Sequence, residues 1–491
     1  MRRIATALAL VTAAAVAVAA KQAAAPPAPQ GTKAEGTVLK NKAPVSKELL
    51  RVKLPKPQEA DLSNGVHLIF LEDRRTPQVN FSMIVDGAGG YYEPAEIPGL
   101  AGFVATLMRE GTTTKTSEQI SEQLDRLAAG VSVGAGISSP FATVNGNGLT
   151  NNIDTVLALM ADVLMNPSFP QLEIDRYKTR TRANLMQQRS QPGFLAAERL
   201  NKVLYGNHPL ARVSATPAAL DALTREKLVE FHKTHYVPDR AVLAVTGDMS
   251  FDQVKAKAET AFASWKKTGT PIAAQTEAPP LSGPSISLVV RPNSVQTSLR
   301  VATHAIERKD PDFFSLTVAN RILGGPFGRL FEHLREQKGY TYGANSGFSS
   351  SRIRGSWTAS TDVRSEVTDP ALTDLLGEIK QMRDVPVTAK DLENAKRAIV
   401  GSFALLLESP NAILSNYIDR HFYGLPADYW DTYAANIEGV TAADVQRVAQ
   451  KYWTPDKLQI VAVGDLSKVE PALKKLGTVQ VFDADGNPIS K

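Results

Sequence analysis

Two segments of the sequence repeat each other at a fixed interval, and this duplication constrains the fold more than any other feature. The first, 223–248, contains Leu-Thr, then Val-Pro-Asp-Arg, then Gly-Asp. The second, 440–465, contains Val-Thr, Thr-Pro-Asp-Lys and Gly-Asp at the same three intervals. A match of this kind predicts two copies of one structural unit.

The spacing of apolar residues along the chain predicts the fold class. Residues 78–85 alternate polar and apolar side chains, which predicts a half-buried strand, and 296–303 is the equivalent strand of the second copy. Residues 117–129 carry apolar side chains at helical spacing and are followed by Gly130, which we expect to end the helix. Strands and helices segregate along the chain, so we predict an α+β fold. It has two homologous lobes, each an antiparallel-rich mixed sheet with helices on one face.

Composition divides the chain into segments. Arg2 and Arg3 precede an uncharged apolar run and then small residues, a pattern typical of a cleavable signal peptide of an exported, periplasmic protein. Two stretches rich in Ala, Pro and Gly predict a flexible tether and a linker. The predicted order is signal peptide 1–20, tether 21–46, N-terminal lobe 47–267, linker 268–284 and C-terminal lobe 285–491.

Charge and cysteine content exclude several classes of function. The net charge is +5 over 491 residues, and no basic block interleaved with aromatic residues is present, so nucleic-acid binding is not expected. The chain contains no cysteine, which excludes disulfides, thiolate metal sites and a cysteine nucleophile. After the signal peptide, no apolar run is long enough to predict a membrane span.

The segment 99–112 reads GLAGFVATLMREGT. It resembles the zinc-site helix of the pitrilysin/insulinase family of zinc peptidases, which has the form G-L-A-H-F-L-E-H-M-L-F-x-G-T. The resemblance extends over roughly 54–469 and implies the processing-peptidase-like fold. The family binds zinc with two histidines one helical turn apart, and the glutamate between them is the general base.

The zinc-binding chemistry is missing from this frame. Gly102 and Thr106 stand where the family has its two histidines, and Ala105 stands where it has the catalytic glutamate. The third family ligand is a glutamate on a later helix, predicted here over 172–189, and the matching position is near Asn184. The resemblance therefore implies a degenerate site, with no metal and no cofactor in this chain.

Three other sequence patterns are candidates for a catalytic or binding site in place of the missing zinc site. His232 and His235 have metal-ligand spacing, but two polar residues at a helix end are the favoured interpretation. The sequence 130–134 fits G-x-S-x-G, yet a helix precedes it and a strand follows, the reverse of a nucleophile elbow. The glycine-rich stretch 324–328 lacks the Lys-Ser/Thr of a phosphate-binding loop, and we interpret it as a turn between two helices.

A second family motif is retained. Residues 323–343, LGGPFGRLFEHLREQKGYTYG, resemble the family's glycine-rich loop followed by L-R-E-x-x-G-x-x-Y, although Pro326 and Phe327 replace small residues. The resemblance implies that Arg335 and Tyr342 act in trans on a partner's zinc site, contacting the substrate and its developing oxyanion. We expect Arg335 near the end of a helix over 328–338, and Tyr340 and Tyr342 on one strand face.

These observations predict a non-catalytic subunit of a heterodimeric periplasmic zinc metallopeptidase. Its partner would be a homologous chain with an intact H-x-x-E-H motif and the zinc, and its substrate a peptide. The alternative is a pseudo-peptidase that binds peptides or scaffolds a complex without catalysis. An independent hydrolase with a different site is a third possibility.

Overall fold

The computed structural model describes residues 54–269 and 271–489, which contain two six-stranded mixed sheets of the same design. The first sheet has one parallel pair of neighbouring strands and the second has two, and all other neighbouring strands are antiparallel. The predicted α+β class and the antiparallel-rich sheets are confirmed.

The first sheet has the order β1-β2-β6-β3-β5-β4 and the second has the order β12-β7-β11-β8-β10-β9. Five strands of one sheet therefore have equivalents at the same places in the other. The strands are β1 Gln58–Asp61, β2 His67–Glu72, β3 Gln78–Asp86, β4 Gly130–Ala135, β5 Phe141–Leu149, β6 Ala241–Gly247, β7 Ser285–Val290, β8 Gln296–His304, β9 Thr341–Phe348, β10 Ser356–Arg364, β11 Gln459–Gly464 and β12 Val479–Phe482.

The helices follow the same duplication. Those of the first half are α1 Leu100–Met108, α2 Ser117–Leu127, α3 Ile153–Met165, α4 Gln171–Arg189, α5 Pro192–Tyr205, α6 Pro217–Ala222, α7 Arg225–His235 and α8 Phe251–Ala261. Those of the second half are α9 Phe313–Gly324, α10 Arg329–Phe331, α11 Thr368–Asp384, α12 Ala389–Leu406, α13 Pro410–Tyr423, α14 Tyr429–Gly439, α15 Ala442–Tyr452 and α16 Leu466–Lys474.

The repeated segments occupy equivalent places. Thr224 caps α7 and Thr441 caps α15, each by accepting a hydrogen bond from a backbone N–H three residues later. Each helix leads to a central strand, β6 or β11, that is buried along its whole length. One predicted boundary is wrong in detail. Ala128, in a left-handed conformation with φ of 48°, ends α2, and Gly130 already begins β4.

The two halves exchange a helix. Helix α5 of the first half packs on the second sheet, where Leu200 and Leu204 contact Ala302 and Val461. Helix α13 of the second half packs on the first sheet through a cluster that includes Ile413, Leu414, Ile69, Ile84, Val242 and Ala244. The prediction of helices on only one face is therefore wrong, because the opposite half covers the second face.

Polar contacts tie the halves together beside the exchanged helices. The His304 ring on β8 makes a buried 2.9 Å hydrogen bond with the Leu204 carbonyl of α5. Arg352 forms a 2.6 Å ion pair with Asp86 at the end of β3 and also donates to the Phe422 carbonyl. Because the His304–Leu204 and Arg352–Asp86 contacts each join residues from both halves, the two sheets lie within one compact unit.

In its described residues, 268–269 and 271–284, the linker has no helix or strand, as expected, but it is packed rather than free. The Thr276 N–H donates a 2.8 Å hydrogen bond to the Tyr91 hydroxyl of the first half. Ala278 is buried in the cluster formed by α5 and the second sheet. A stretch rich in Ala and Pro therefore serves as a fixed strap, not as a flexible tether.

The predicted signal peptide and the flexible tether up to residue 46 lie outside the described residues. Within 54–269 and 271–489 no single helix is long and apolar enough to cross a membrane. The pair α12 and α13, bent by 109°, meets the length and composition requirement together.

The exchanged helix leads to a prediction about stability. Leu204 is 1% exposed and belongs to the first half of the sequence, yet it packs on the second sheet. Leu204→Ala should lower the free energy of unfolding by about 2–5 kcal/mol, because it removes a buried side chain and leaves a cavity. Hydrogen exchange should increase first in β8 and β11. The exposed Leu405→Ala is the control, and equal effects of the two substitutions would contradict the packing role of α5.

Candidate functional site

The degenerate zinc-site helix is α1, and its frame is held by a buried carboxylate. Gly99 precedes the helix with φ of 96°, a left-handed conformation that favours glycine. The Glu93 side chain accepts hydrogen bonds from the Gly99 N–H at 2.7 Å and the Ala101 N–H at 3.1 Å. Arg212 lies 3.6 Å from the same carboxylate. Glu93 thus caps the helix N-terminus, where negative charge is favourable.

Burial raises the pKa of Glu93 to about 7, although its two N–H donors and Arg212 favour the ionised form. Sequence reasoning did not single out this residue. The sequence feature that could have indicated it is an acidic residue placed six residues before Gly99, where the zinc-motif frame begins.

None of the three motif positions on α1 carries a histidine or carboxylate side chain that could bind zinc. Ala105 is buried, whereas Gly102 and Thr106 are half-buried one turn apart on the helix. A Cβ atom at Gly102 would lie 3.5 Å from the Ala135 carbonyl oxygen, an ordinary contact. The backbone therefore leaves room for a side chain, and the missing histidine is not explained by crowding.

Helix α4 supplies the position of the third ligand. Its Tyr177 ring packs edge-on against Phe103 of α1, with 5.6 Å between ring centroids. Asn184 lies two helical turns later on the same face of α4 and is exposed. Within the part of the chain that the structure describes, no group of three or more His, Asp or Glu side chains is arranged to hold a metal. The residues at this site therefore do not fit zinc.

The replacement candidates have structural roles. The His232 ring bonds the Leu164 carbonyl and the His235 ring bonds the Gly87 carbonyl, each at 2.7 Å. Burial lowers the pKa of both imidazoles, which favours their neutral form. Each ring is bonded to a different backbone carbonyl, so the two do not converge on one site. Ser132 is exposed on β4, with α2 before it, so the order differs from that of a nucleophile elbow.

Arg335 and Tyr342 lie on consecutive elements of the second half. Helix α10 is only one turn long and continues as a π-helix over Glu332–Gln337, so the predicted helix over 328–338 is present but is mostly π-helical. π-Helical turns are rare and occur frequently at functional sites. The Arg335 guanidinium lies 4.7 Å from the Phe331 ring centroid and 3.5 Å from Glu336.

Tyr342 is 89% exposed, and its hydroxyl has no hydrogen-bond partner among the described residues. Tyr340 instead packs against the core of the second half, so the predicted shared strand face is wrong. The register of β9 on β10 shifts between Ala344 and Thr341, which indicates a β-bulge. A bulge interrupts strand alternation and redirects a side chain, here that of Tyr342.

A cleft of about 620 Å³ lies beside these two residues and is lined by their neighbours. Phe331, on which Arg335 stacks, forms one wall, and Gly343 and Ala344, next to Tyr342, form another. The other lining residues are Thr317, Asn320, Arg321, Gly324, Gly325, Pro326, Asn345, Ser346, Phe348 and Ile399.

The glycine-rich stretch turns between α9 and α10, as predicted, and shapes this cleft. A Cβ at Gly324 would lie 2.1 Å from the Ser346 nitrogen, so the glycine lets α9 touch β9. Phe327, which departs from the family pattern, has φ of 59° and is 82% exposed. A bulky residue in this left-handed conformation is strained, and such strain clusters at ligand-binding sites.

Two family models match the sequence of both halves. The family model described as "Insulinase (Peptidase family M16)" matches residues 68–218, and the model described as "Peptidase M16 inactive domain" matches 222–399. The chain belongs to the insulinase (M16) peptidase family. It is a member that lacks the family's zinc-binding histidines, at Gly102 and Thr106, and its catalytic glutamate, at Ala105.

Individual relatives agree with this assignment. The chain is 27% identical to "Uncharacterized zinc protease YmxG" of Bacillus subtilis, over 72% of this chain and 85% of that protein. It is 22% identical to "Non-peptidase homolog YmxG" of Helicobacter pylori, over 82% of this chain and 93% of that one. A crystal structure described as a peptidase M16 inactive domain, from Pseudomonas fluorescens, superposes with a TM-score of 0.75 at 29% identity. That alignment covers 83% of this chain and 98% of that one.

We predict that the purified chain holds less than stoichiometric zinc, because the three ligand positions and the base lack suitable side chains. Metal analysis by mass spectrometry of the dialysed protein is the measurement. The triple variant Gly102→His, Ala105→Glu, Thr106→His should bind zinc weakly, and adding Asn184→Glu should strengthen binding. One tightly held zinc per wild-type chain would contradict the assignment.

Glu93 gives a pH-dependent prediction. Its folded pKa of about 7 lies above the ordinary value of 4.5, so the folded chain binds this proton more tightly than the unfolded chain. The contribution of Glu93 to stability is therefore full below pH 4.5 and is lost as the pH rises through 7. Glu93→Gln lacks this titration. Between pH 5 and 8 its free energy of unfolding should gain up to about 3 kcal/mol relative to wild type.

Urea unfolding at several pH values measures this difference, with the exposed Glu96→Gln as the matched control. Parallel pH profiles for wild type and Glu93→Gln would show that the N–H donors and Arg212 keep the carboxylate ionised.

Proposed function

We propose that this chain is the non-catalytic subunit of a heterodimeric periplasmic zinc metallopeptidase. A homologous partner with an intact H-x-x-E-H motif holds the zinc, and this chain completes the peptide-binding chamber. Arg335 and Tyr342 reach the partner's site from the second half. The observation that carries the proposal is the unpartnered Tyr342 hydroxyl, 89% exposed beside a cleft, in a chain whose own zinc site is lost.

The two side chains suit a supporting role in peptide hydrolysis. The H-x-x-E-H motif of the partner would hold the zinc, which would supply an activated water for attack on the scissile carbonyl. A phenol hydroxyl and a guanidinium are hydrogen-bond donors, and both stabilise negative charge as it develops on that carbonyl oxygen. Phe331 supports the Arg335 guanidinium by stacking, and the β-bulge presents Tyr342 away from its own core. Such interactions strengthen in the transition state and therefore increase kcat.

The cleft supplies a surface for the peptide chain itself. Strand β9 is the edge of the second sheet, so the backbone groups on its outer side are not paired within the sheet. An extended peptide pairs with such an edge through main-chain hydrogen bonds. Gly343 and Gly347 present no side chains there, and nothing lies within 4 Å of a Cβ built on either.

Export to the periplasm is part of the proposal and is supported by the sequence of the first 20 residues. The charged start, apolar run and small residues fit a signal peptide. The absence of cysteine makes an oxidising compartment harmless to the fold.

A second candidate function is a pseudo-peptidase that binds peptides or scaffolds an assembly without any catalysis. It is favoured by the similarity to the protein named "Non-peptidase homolog YmxG". A neighbouring gene for a homologous chain with intact H-x-x-E-H favours the heterodimer, and its absence favours the pseudo-peptidase.

Capture of the chain from its native envelope, followed by mass spectrometry, identifies the partner. We expect a homologous zinc-motif chain. Mixing the two purified chains should give peptidase activity that neither has alone. Full turnover by the partner alone would contradict the complementing role and favour the scaffold.

Tyr342→Phe in this chain should lower kcat of the mixed complex at least about tenfold, since losing one oxyanion donor costs about 10²–10³ in turnover. Zinc content, assembly and melting temperature should stay unchanged, because the hydroxyl has no partner within the described fold. The matched control is Tyr340→Phe, two residues away and packed against the core, which should retain wild-type turnover. A Tyr342→Phe complex with wild-type kcat would show that the hydroxyl takes no part in the reaction.

A further inference from the structure

Arg321 differs in charge from the other residues that line the cleft beside Tyr342. Among the described residues that line this cleft, it alone carries a charge. Its guanidinium makes no ion pair and no hydrogen bond with any described residue. The neighbouring cation, Arg329, is by contrast paired with Asp391 at 3.0 Å.

The position of Arg321 is fixed by the glycine-rich turn. A Cβ at Gly325 would lie 2.6 Å from the Arg321 Cδ and 2.7 Å from its carbonyl oxygen. The glycine therefore leaves space for the stem of the arginine along the turn. Arg321 itself is half-buried, so its unpaired charge has lost part of its hydration without gaining a protein partner.

The rest of the cleft is uncharged, with apolar walls and the polar side chains of Thr317, Asn320, Asn345 and Ser346. Phe331, Phe348 and Ile399 line its walls, and Phe327 packs edge-on against Phe331 with 5.4 Å between ring centroids. One cation in an otherwise uncharged cleft along a free sheet edge complements an extended peptide that carries one carboxylate between uncharged side chains.

We propose that Arg321 is a specificity-determining residue that selects peptides carrying a carboxylate at the position facing this cleft. The carboxylate belongs either to an Asp or Glu side chain or to the peptide C-terminus. The guanidinium binds it with a charge-assisted, bidentate hydrogen bond. This inference rests on the proposed peptide-binding function and adds the substrate class.

The test measures binding of rhodamine-labelled, ten-residue peptides to the purified chain by fluorescence anisotropy. Each peptide is neutral and amidated apart from one Glu, which is moved along the sequence and matched at each position by Gln. At one position the Glu peptide should bind about tenfold more tightly, the value expected for a charged hydrogen bond. A second series with a free C-terminal carboxylate distinguishes the two sources of the charge.

Variants assign the preference to Arg321. Arg321→Gln should remove the Glu preference and leave affinity for the Gln peptide unchanged, and Arg321→Lys should retain part of it. Arg321→Glu should reverse it toward a Lys peptide. The matched control is Arg397→Gln, on α12 and paired with Glu393, which should keep the wild-type preference.

Equal binding of the Glu and Gln peptides, or a preference that survives in Arg321→Gln, would overturn the inference. Binding of no peptide at any position would overturn both this inference and the proposed chamber role. A partner chain that is fully active alone would refute the heterodimer. The Arg321 inference would still be decided by the peptide-binding measurements, which use this chain alone.

Discussion

The burial of both faces of each sheet by helices from both halves is the constraint on which the remaining structure depends. Helix α5 covers the second sheet, and α13 covers the first. One face of each sheet is thus buried by a helix of the opposite half, and the two halves form one compact unit. Because the exchange fixes the two sheets relative to each other, sites on either half are held in a defined geometry.

Duplication followed by divergence explains why the two halves now differ in chemistry. In the first half, Glu93 still caps α1, and the helix keeps its packing although it offers no zinc ligand. In the second half, the equivalent region has the glycine-rich turn, the π-helix and the β-bulge, three departures from regular structure around one cleft. The regular elements are retained for stability, and the irregular ones surround the proposed binding surface.

Much of the fold could be predicted from the sequence, because the signals are local. The interval between the repeats placed α7 with β6 and α15 with β11, and the Thr224 and Thr441 caps mark where the helices begin. The continuous burial of β6 also had a signal that was missed. A strand that reads Ala-Val-Leu-Ala-Val is apolar on both faces, which indicates a sheet covered on both sides.

The sequence by itself determined the duplication, the family resemblance and the loss of zinc ligands, since these depend only on which residue types stand at which intervals. Only the tertiary structure decided which half covers which sheet, because one apolar helix fits either face equally well by pattern. It also decided that Tyr340 is packed while Tyr342 is exposed, since a bulge depends on pairing with β10. The isolation of Arg321 was likewise decided in three dimensions, because an arginine in a sequence does not show whether a carboxylate will lie beside it.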